Sequence, residues 1–315
     1  MATFVVTGGG GFIGSNLVEA ILGRGDAARV LDNFATGRRE NLRSAPAWAK
    51  SGGASYELIE GDIRDPAACR RAIDGADYVL HQAAIPSVQR SVQDPAMSNE
   101  VNVTGTLNVL LAARDAGVKC LVMASSSSLY GESETLPKVE SMAPSPISPY
   151  GLQKLAGETY CGVFYRLYGL PTVALRYFNV FGPRQDPGGE YSAVIPKFIA
   201  AIKAGDAPVI FGDGEQTRDF SHIANIVQAN IKACEAPSSA LGGAYNIACG
   251  ERISLNELVQ ILAGFAGRIV RPVHAEARSG DIKHSLAAIE KAEQLLGYRP
   301  TVSVKDGLRR TWDAF

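Results

Sequence analysis

Residues 3–32 read TFVVTGGGGFIGSNLVEAILGRGDAARVLD, and the order of residue types along this stretch decides the fold. Thr3–Thr7 is a short β-branched and aromatic run, the content of a buried strand. It opens into a glycine-rich turn and then into SNLVEAILGRG, where Leu17, Val18, Ile21 and Leu22 recur at helical spacing. Gly8, Gly11 and Gly14 form a Gly-x-x-Gly-x-x-Gly series between strand and helix. At such a junction the first glycine permits a tight turn and the second lets the backbone approach a pyrophosphate. The third lets the helix pack closely on the strand, with its N-terminus aimed at the anion. A glycine triplet alone is weak evidence; the strand before it and the helix after it give it meaning.

A second strand, residues 28–31, ends in Asp32, 18 residues after Gly14. That is where a carboxylate meets the adenosine ribose hydroxyls of a dinucleotide, and where it repels a 2′-phosphate, so NAD is expected over NADP. Arg38 and Arg39 read as the solvated start of the next helix. Strand–helix alternation continues through Tyr56–Glu60, Asp77–Leu80, Val118–Ser125 and Thr172–Phe178. Asp94-Pro95 signals a helix that the pattern carries to Gly117, with Asn102 inside it. Apolar strands alternating with helices predict an α/β fold, a Rossmann-type doubly wound parallel sheet covered on both faces. Ligands of such a sheet bind beyond the carboxyl ends of its strands, where Gly8–Gly14, Asp32, Asp62, Ala83 and Ser126 all fall.

The chemistry is expected in residues 123–154, MASSSSLYGESETLPKVESMAPSPISPYGLQK. An apolar run ends in four serines, and Tyr150 and Lys154 open a helix that Gly169 closes. At i and i+4 the two share one face, and a lysine cation so placed favours the phenolate. Tyr150 is therefore a candidate general base, and Ser126 a candidate partner for the same substrate hydroxyl. A plain surface Tyr/Lys pair has the same spacing, so the context carries the weight. Beyond Phe178 the pattern loosens into turn-rich segments, with a short helix in 191–205, a strand before Gly212, and Ser254-x-x-Glu257 as a capping box. This part reads as a smaller, interleaved C-terminal α/β domain.

Composition excludes several classes. The chain has 315 residues, 46% hydrophobic and 20% charged, with a net charge of −1, so nothing favours nucleic acid or anionic membrane. Its five cysteines lie far apart without a Cys-x-x-Cys pair, which argues against a disulfide or zinc framework. There is no membrane-length apolar run and no secretory pattern at the N-terminus, so the expected location is cytoplasmic.

With TGGGGFIGS, SSSSLYG, SPYGLQK, LRYFNVFGPRQ, GDGEQTRDF and RSGD in this order, the chain resembles the extended short-chain dehydrogenase/reductases, and among them the nucleotide-sugar 4-epimerases. The resemblance implies bound NAD and a UDP-sugar substrate. It assigns catalysis to Tyr150, Lys154 and Ser126. To the cofactor it assigns Gly8, Gly11, Phe12, Ile13, Gly14, Asp32, Asn33, Asp62, Ile63, Ala83, Ala84, Asn102 and Tyr177, with Tyr150 and Lys154. To the substrate it assigns Asn179, Val194, Phe211, Arg218, Arg278, Asp281 and Ser285, besides Ser126. Residues 1–176 with about 221–248 would form the NAD-binding domain, and about 177–220 with 249–315 the UDP-sugar domain. A homodimer built on the helices at 95–117 and 150–168 is also implied.

Sister enzymes differ just before Tyr130. The 4,6-dehydratases carry an Asp-Glu pair where this chain has Ser127 and Ser128, and UDP-glucuronate decarboxylases carry a glutamate at the position of Ser128. Neither acid is present, which favours epimerisation. UDP-glucuronate 4-epimerase shares the chemistry and stays open, as does a non-catalytic NAD-sensing protein on the same fold. Ser127 and Ser128 rival Ser126; the latter is favoured by standing four residues before Tyr130. Ser285 falls where a bulky tyrosine restricts epimerases to glucose and galactose. A small residue there suits N-acetylated UDP-hexosamines, so UDP-GlcNAc/UDP-GalNAc is expected, with UDP-Glc/UDP-Gal as a second pair. A helix cap before residues 286–296 is the rival role for Ser285. Pro86 replaces the lysine of many glucose/galactose epimerases.

Overall fold

A computed structural model of the chain describes residues 1–188, 193–277 and 283–315. The first half alternates strand and helix: β1 (Thr3–Thr7), α1 (Phe12–Gly23), β2 (Ala27–Asp32), α2 (Ala45–Gly52), β3 (Tyr56–Glu60), α3 (Pro66–Ile73) and β4 (Tyr78–His81). There follow α4 (Val88–Gln93), α5 (Pro95–Asn99), α6 (Thr106–Ala116), β5 (Cys120–Ser126), α7 (Pro149–Tyr168) and β6 (Thr172–Tyr177). The second half contains β7 (Val180–Phe181), α8 (Val194–Ala204), β8 (Val209–Phe211), β9 (Thr217–Arg218), β10 (Ser221–His222), α9 (Ile223–Cys234) and β11 (Ala244–Ile247). It ends with β12 (Ile253–Ser254), α10 (Leu255–Ala266), β13 (Val273–Ala275), α11 (Glu290–Leu296) and α12 (Val304–Ala314).

A seven-stranded sheet runs in the order β11-β6-β5-β4-β1-β2-β3, every neighbour parallel, which is the expected doubly wound Rossmann arrangement. The strand order reverses between β1 and β4, so a crevice opens at their carboxyl ends. The run of apolar residues in β1 is explained by burial on both faces: Val5 and Val6 are fully covered. One apolar core, under α1 and α9, joins Val6, Leu17, Ile21, Val30 and Ile226. The other, under α3, α6 and α7, joins Val5, Cys69, Val109, Leu121 and Phe164. A separate core in the second half packs Phe198, Ile202, Ile210, Leu258 and Leu308.

The single helix expected from Asp94 to Gly117 is instead interrupted. Asp94 does cap α5 by accepting from the Met97 N–H at 2.9 Å, but Glu100–Gly105 widens into a π-type turn before α6. The Thr106 hydroxyl donates to the Asn102 carbonyl at 2.7 Å within this turn, competing with the regular ladder. A short helix, α4, also precedes Asp94, capped by Ser87. The capping box of Ser254 and Glu257 is formed in full. Ser285 is not a helix cap, because α11 begins only at Glu290. Among the described residues, no helix is long and apolar enough to cross a membrane.

Candidate active site

The crevice is a cavity of about 440 Å³, lined by Gly8, Gly11, Phe12, Ile13 and Gly14 at one end and by Tyr150, Lys154 and Tyr177 at the other. Its size is that of a small-molecule site. The glycines are required by what surrounds them. Gly8 has φ +71°, and a Cβ there would stand 2.7 Å from the Ala83 amide nitrogen. A Cβ on Gly14 would stand 2.2 Å from the Gly8 carbonyl oxygen. No side chain caps α1 and no acidic residue stands in its first turn, so its N-terminal amides face the cavity uncompensated. This cradle fits a pyrophosphate.

Asp32 ends β2 and is buried. Its carboxylate accepts from the Gly10 and Phe34 amides, each at 2.7 Å, while burial raises its pKa. Next to it in the wall, Asn33 donates to Asp62 at 2.8 Å. Asp62 is held below the usual carboxylate range, chiefly by its hydrogen bonds from Arg64, the shortest at 2.8 Å. Ile63, Ala83 and Ala84 complete the wall, with Pro86 also in it. Arg38 and Arg39 are exposed as expected, but each is ion-paired, Arg38 to Asp186 and Arg39 to Glu60.

Asn102 does not reach this wall. Its amide donates to the Ile85 carbonyl and to Gln153, and its oxygen accepts from the Ile85 N–H at 2.8 Å. With both donors committed, it braces the loop before Pro86 and the turn of α7 beside Lys154. Tyr177 does line the cavity, its hydroxyl fixed by Asn230 at 2.8 Å.

Tyr150 enters from the first turn of α7, which Ser148 caps. Its backbone N–H donates to the Ser91 hydroxyl at 3.0 Å, a tie between α4 and α7 that no local pattern announces. Ser126 is the side chain that acts on the phenol, lowering its pKa against the effect of burial. The other serines are engaged differently: Ser125 donates to Glu158 at 2.8 Å, and Ser128 donates to Ser126 at 2.9 Å. Ser126, rather than Ser125 or Ser128, acts on Tyr150, although Ser125 and not Ser126 is among the residues that line the cavity. Lys154 is buried, its ammonium donating to the Ala124 carbonyl at 2.8 Å and lying 5.9 Å from the Tyr150 ring centre. In the cofactor-free chain, burial raises Tyr150 above the ordinary tyrosine value, and Ser126 opposes that rise. Burial also lowers Lys154, to about 8. Both effects share a cause, since a desolvated site disfavours either charge.

A second cavity of about 250 Å³ lies in the C-terminal half and is lined by Asn179, Val194, Phe211 and Arg218 together with Gln216 and Phe220. Asn179 donates to the Asp219 carbonyl at 3.0 Å and to the Ser285 hydroxyl at 3.4 Å. Ser285 itself lines neither cavity. Arg278 and Asp281 lie outside the described residues. Asp219, unmarked by any local pattern, is fully buried. It accepts from Cys249, Gly250 and Ala287 amides at 3.0 to 3.2 Å, and burial raises its pKa to about 7.

Beneath the cavity floor, His81 bridges Thr7 at 2.7 Å and Thr106 at 2.9 Å. Burial first, and Lys154 second, depress its pKa to about 3. An unfolded histidine takes its proton near pH 6.5, whereas the folded one stays neutral until about 3, so this residue costs stability as pH falls through that window. Urea unfolding of His81→Gln is expected to show a shallower loss between pH 6 and 5 than the parent, by about 1 kcal/mol. Equal slopes would contradict a neutral buried imidazole.

The chain matches the NAD dependent epimerase/dehydratase family over residues 4–248. It is 37% identical to a UDP-glucose 4-epimerase of Mycolicibacterium smegmatis over 313 residues, covering 99% of this chain and 97% of the relative. Its structure is similar to a UDP-N-acetylglucosamine 4-epimerase of Methanobrevibacter ruminantium solved with UDP-N-acetylmuramic acid, with a TM-score of 0.92, 38% identity, and 100% and 98% of the two chains covered. It is also similar to a UDP-glucuronic acid 4-epimerase of Bacillus cereus solved with UDP-glucuronic acid and NAD, with a TM-score of 0.89, 33% identity, and 99% and 98% covered. The glycine cradle, the buried Asp32 and the Ser126–Tyr150–Lys154 cluster agree with these likenesses: the chain belongs to the NAD dependent epimerase/dehydratase family, in its UDP-sugar 4-epimerase branch, and its cofactor is NAD.

Proposed function

We propose that the protein interconverts the 4-epimers of a UDP-hexose, with UDP-GlcNAc and UDP-GalNAc as the preferred pair and UDP-Glc and UDP-Gal also accepted. The observation that carries this reading is Tyr150 on the cavity wall, with the Lys154 ammonium 5.9 Å from its ring centre and Ser126 acting on its phenol. Gly8, Gly11, Gly14 and the α1 N-terminus would hold the pyrophosphate of NAD, Asp32 its adenosine ribose, and Lys154 its nicotinamide ribose. NAD, when bound, supplies a hydride acceptor that gives the hydride back at the same carbon. Tyr150 takes the proton from the 4-hydroxyl through its phenolic oxygen and later returns it, while Ser126 hydrogen-bonds the 4-oxygen. Burial raises the phenol's pKa, so Tyr150 would serve as the phenolate with a positive charge beside it, which bound NAD would supply. Asn179, Val194, Phe211 and Arg218, with Arg278 and Asp281, would hold the nucleotide firmly. The 4-keto ring is then free to turn over about its diphosphate linkage. Separate incubations with UDP-GlcNAc, UDP-Glc and UDP-GlcA, read for the 4-epimer by NMR, test this. Turnover of UDP-GlcA alone would replace it with the uronate reading, the activity for which the similar B. cereus enzyme is named.

The preference for the N-acetyl group rests on Ser285, which lines neither cavity but whose hydroxyl accepts from Asn179 of the second cavity's wall. Ser285→Tyr is expected to lower kcat/KM for UDP-GlcNAc by at least about tenfold, as a filled subsite does, while sparing UDP-Gal. An unchanged ratio of the two would remove the gatekeeper role. We further read residues 1–176 with about 221–248 as the cofactor part, and about 177–220 with 249–315 as the substrate part. The separate core around Phe198 and Leu258 supports that division. We also read the exposed apolar Val92, Met97 and Leu152 as the surface on which two copies pair. Sedimentation equilibrium of a purely monomeric protein would refute this pairing.

A further inference from the structure

The stripe of α7 that carries Tyr150 and Lys154 has a third charged member. Glu158 follows Lys154 at i+4, the spacing at which a lysine and a glutamate on one helix meet. They do not meet here. Lys154 is directed at the Ala124 carbonyl, and the very next residue of β5, Ser125, donates to Glu158 at 2.8 Å. The Glu158 carboxylate is filled mainly by Arg176 of β6, which reaches Oε1 through Nη2 at 2.5 Å and Oε2 through Nε at 3.0 Å. The pair is enclosed, the arginine and glutamate side chains being 6% and 10% exposed. Arg176 is itself held in a row across the sheet: Ser125, Arg176 and Asn246 are register partners in β5, β6 and β11. Its Nη1 donates to the Tyr130 hydroxyl at 2.6 Å, which donates onward to Asn246 at 2.8 Å.

A carboxylate enclosed one turn from a buried ammonium would attract it strongly, because little solvent screens the pair. We propose that Arg176 is a positioning residue that saturates the Glu158 carboxylate, so that Glu158 cannot capture the Lys154 ammonium and Lys154 stays directed at Ala124 and the Tyr150 side of the cavity. This rests on the reading of Tyr150 and Lys154 as the acid–base pair. Without Arg176 the cheapest partner for Glu158 is Lys154, since an unpaired buried charge is strongly unfavourable. The i,i+4 pair that forms withdraws the ammonium from the phenol.

The test is a rescue. Arg176→Gln is expected to lower kcat by at least about tenfold, within the 10²–10⁴ that a positioned acid–base group supplies, with KM for the UDP-sugar little changed. Adding Glu158→Gln removes the competing carboxylate, and the double variant is expected to return to within about threefold of the parent kcat. Removing both members of a buried pair is also far milder for folding than removing one. If Arg176→Gln keeps parental turnover, or if the double variant is as slow as the single, the proposal is overturned and the pair serves packing alone. If Arg176→Gln fails to fold, the double variant decides: folded and active supports the proposal, folded and inactive overturns it. An active Tyr150→Phe enzyme would instead remove the acid–base reading beneath it, which separates the two failures.

Discussion

Tyr150→Phe is expected to leave NAD in its cavity and to cut turnover by two orders of magnitude or more. The substitution deletes one oxygen from a half-buried ring whose backbone is held independently by Ser91 and by the Ser148 cap, so the fold has no reason to move. What is lost is the only phenol that meets Ser126 on the cavity side of α7 among the described residues. Positioned general bases supply about 10²–10⁴-fold, and water in a desolvated crevice is a poor replacement. The measurement is kcat with each UDP-sugar, alongside the dinucleotide absorbance of the purified variant. Near-normal turnover with NAD retained would end the mechanism. The pH profile adds a second check. Burial raises Tyr150 and no lysine contribution offsets it in the ligand-free state, so NAD binding should release protons, detectable in weak buffer.

The parts of this site that were legible in the sequence are those where one short segment does the whole job. Gly8 to Gly14 must turn, approach and pack within seven residues, so the constraint is written locally, and a side chain at Gly8 or Gly14 would meet backbone atoms at under 3 Å. Tyr150 and Lys154 share a helix face by spacing alone. What was not legible depends on partners far along the chain. Asn102 was expected at the cofactor, but its amide is consumed by Ile85 and Gln153, 17 and 51 residues away, and the π-type turn that puts it there leaves no periodic trace. Spacing brings Lys154 beside Tyr150, but it cannot predict that the ammonium is buried and points at the Ala124 carbonyl. Asp219 and Arg176 carry no local mark of burial, and only the folded chain shows both to be enclosed.

Gly14→Ala should cost the chain its cofactor, and Gly23→Ala in the same helix is its control. At Gly14 the new Cβ meets the Gly8 carbonyl oxygen at 2.2 Å, the Gly8 carbonyl carbon at 2.8 Å and the Gly9 Cα at 2.8 Å. All three are backbone atoms of the turn that cradles the pyrophosphate, so no side chain can swing away. Relief requires α1 to lift from β1 or the turn to deform, and either displaces the amides aimed at the anion. Overpacking of this kind costs about 1–3 kcal/mol, or about 10–100-fold in affinity if it falls on the cofactor-bound state. The variant should therefore emerge from gel filtration with little dinucleotide absorbance and a melting temperature that responds weakly to added NAD. Gly23 has no atom within 4 Å of its prospective Cβ. Alanine there should keep the cofactor and gain up to about 1 kcal/mol of stability from lower unfolded-state entropy. If both variants retain NAD equally, the close approach at Gly14 is not what holds the dinucleotide, and anion binding would have to come from elsewhere on the cavity wall.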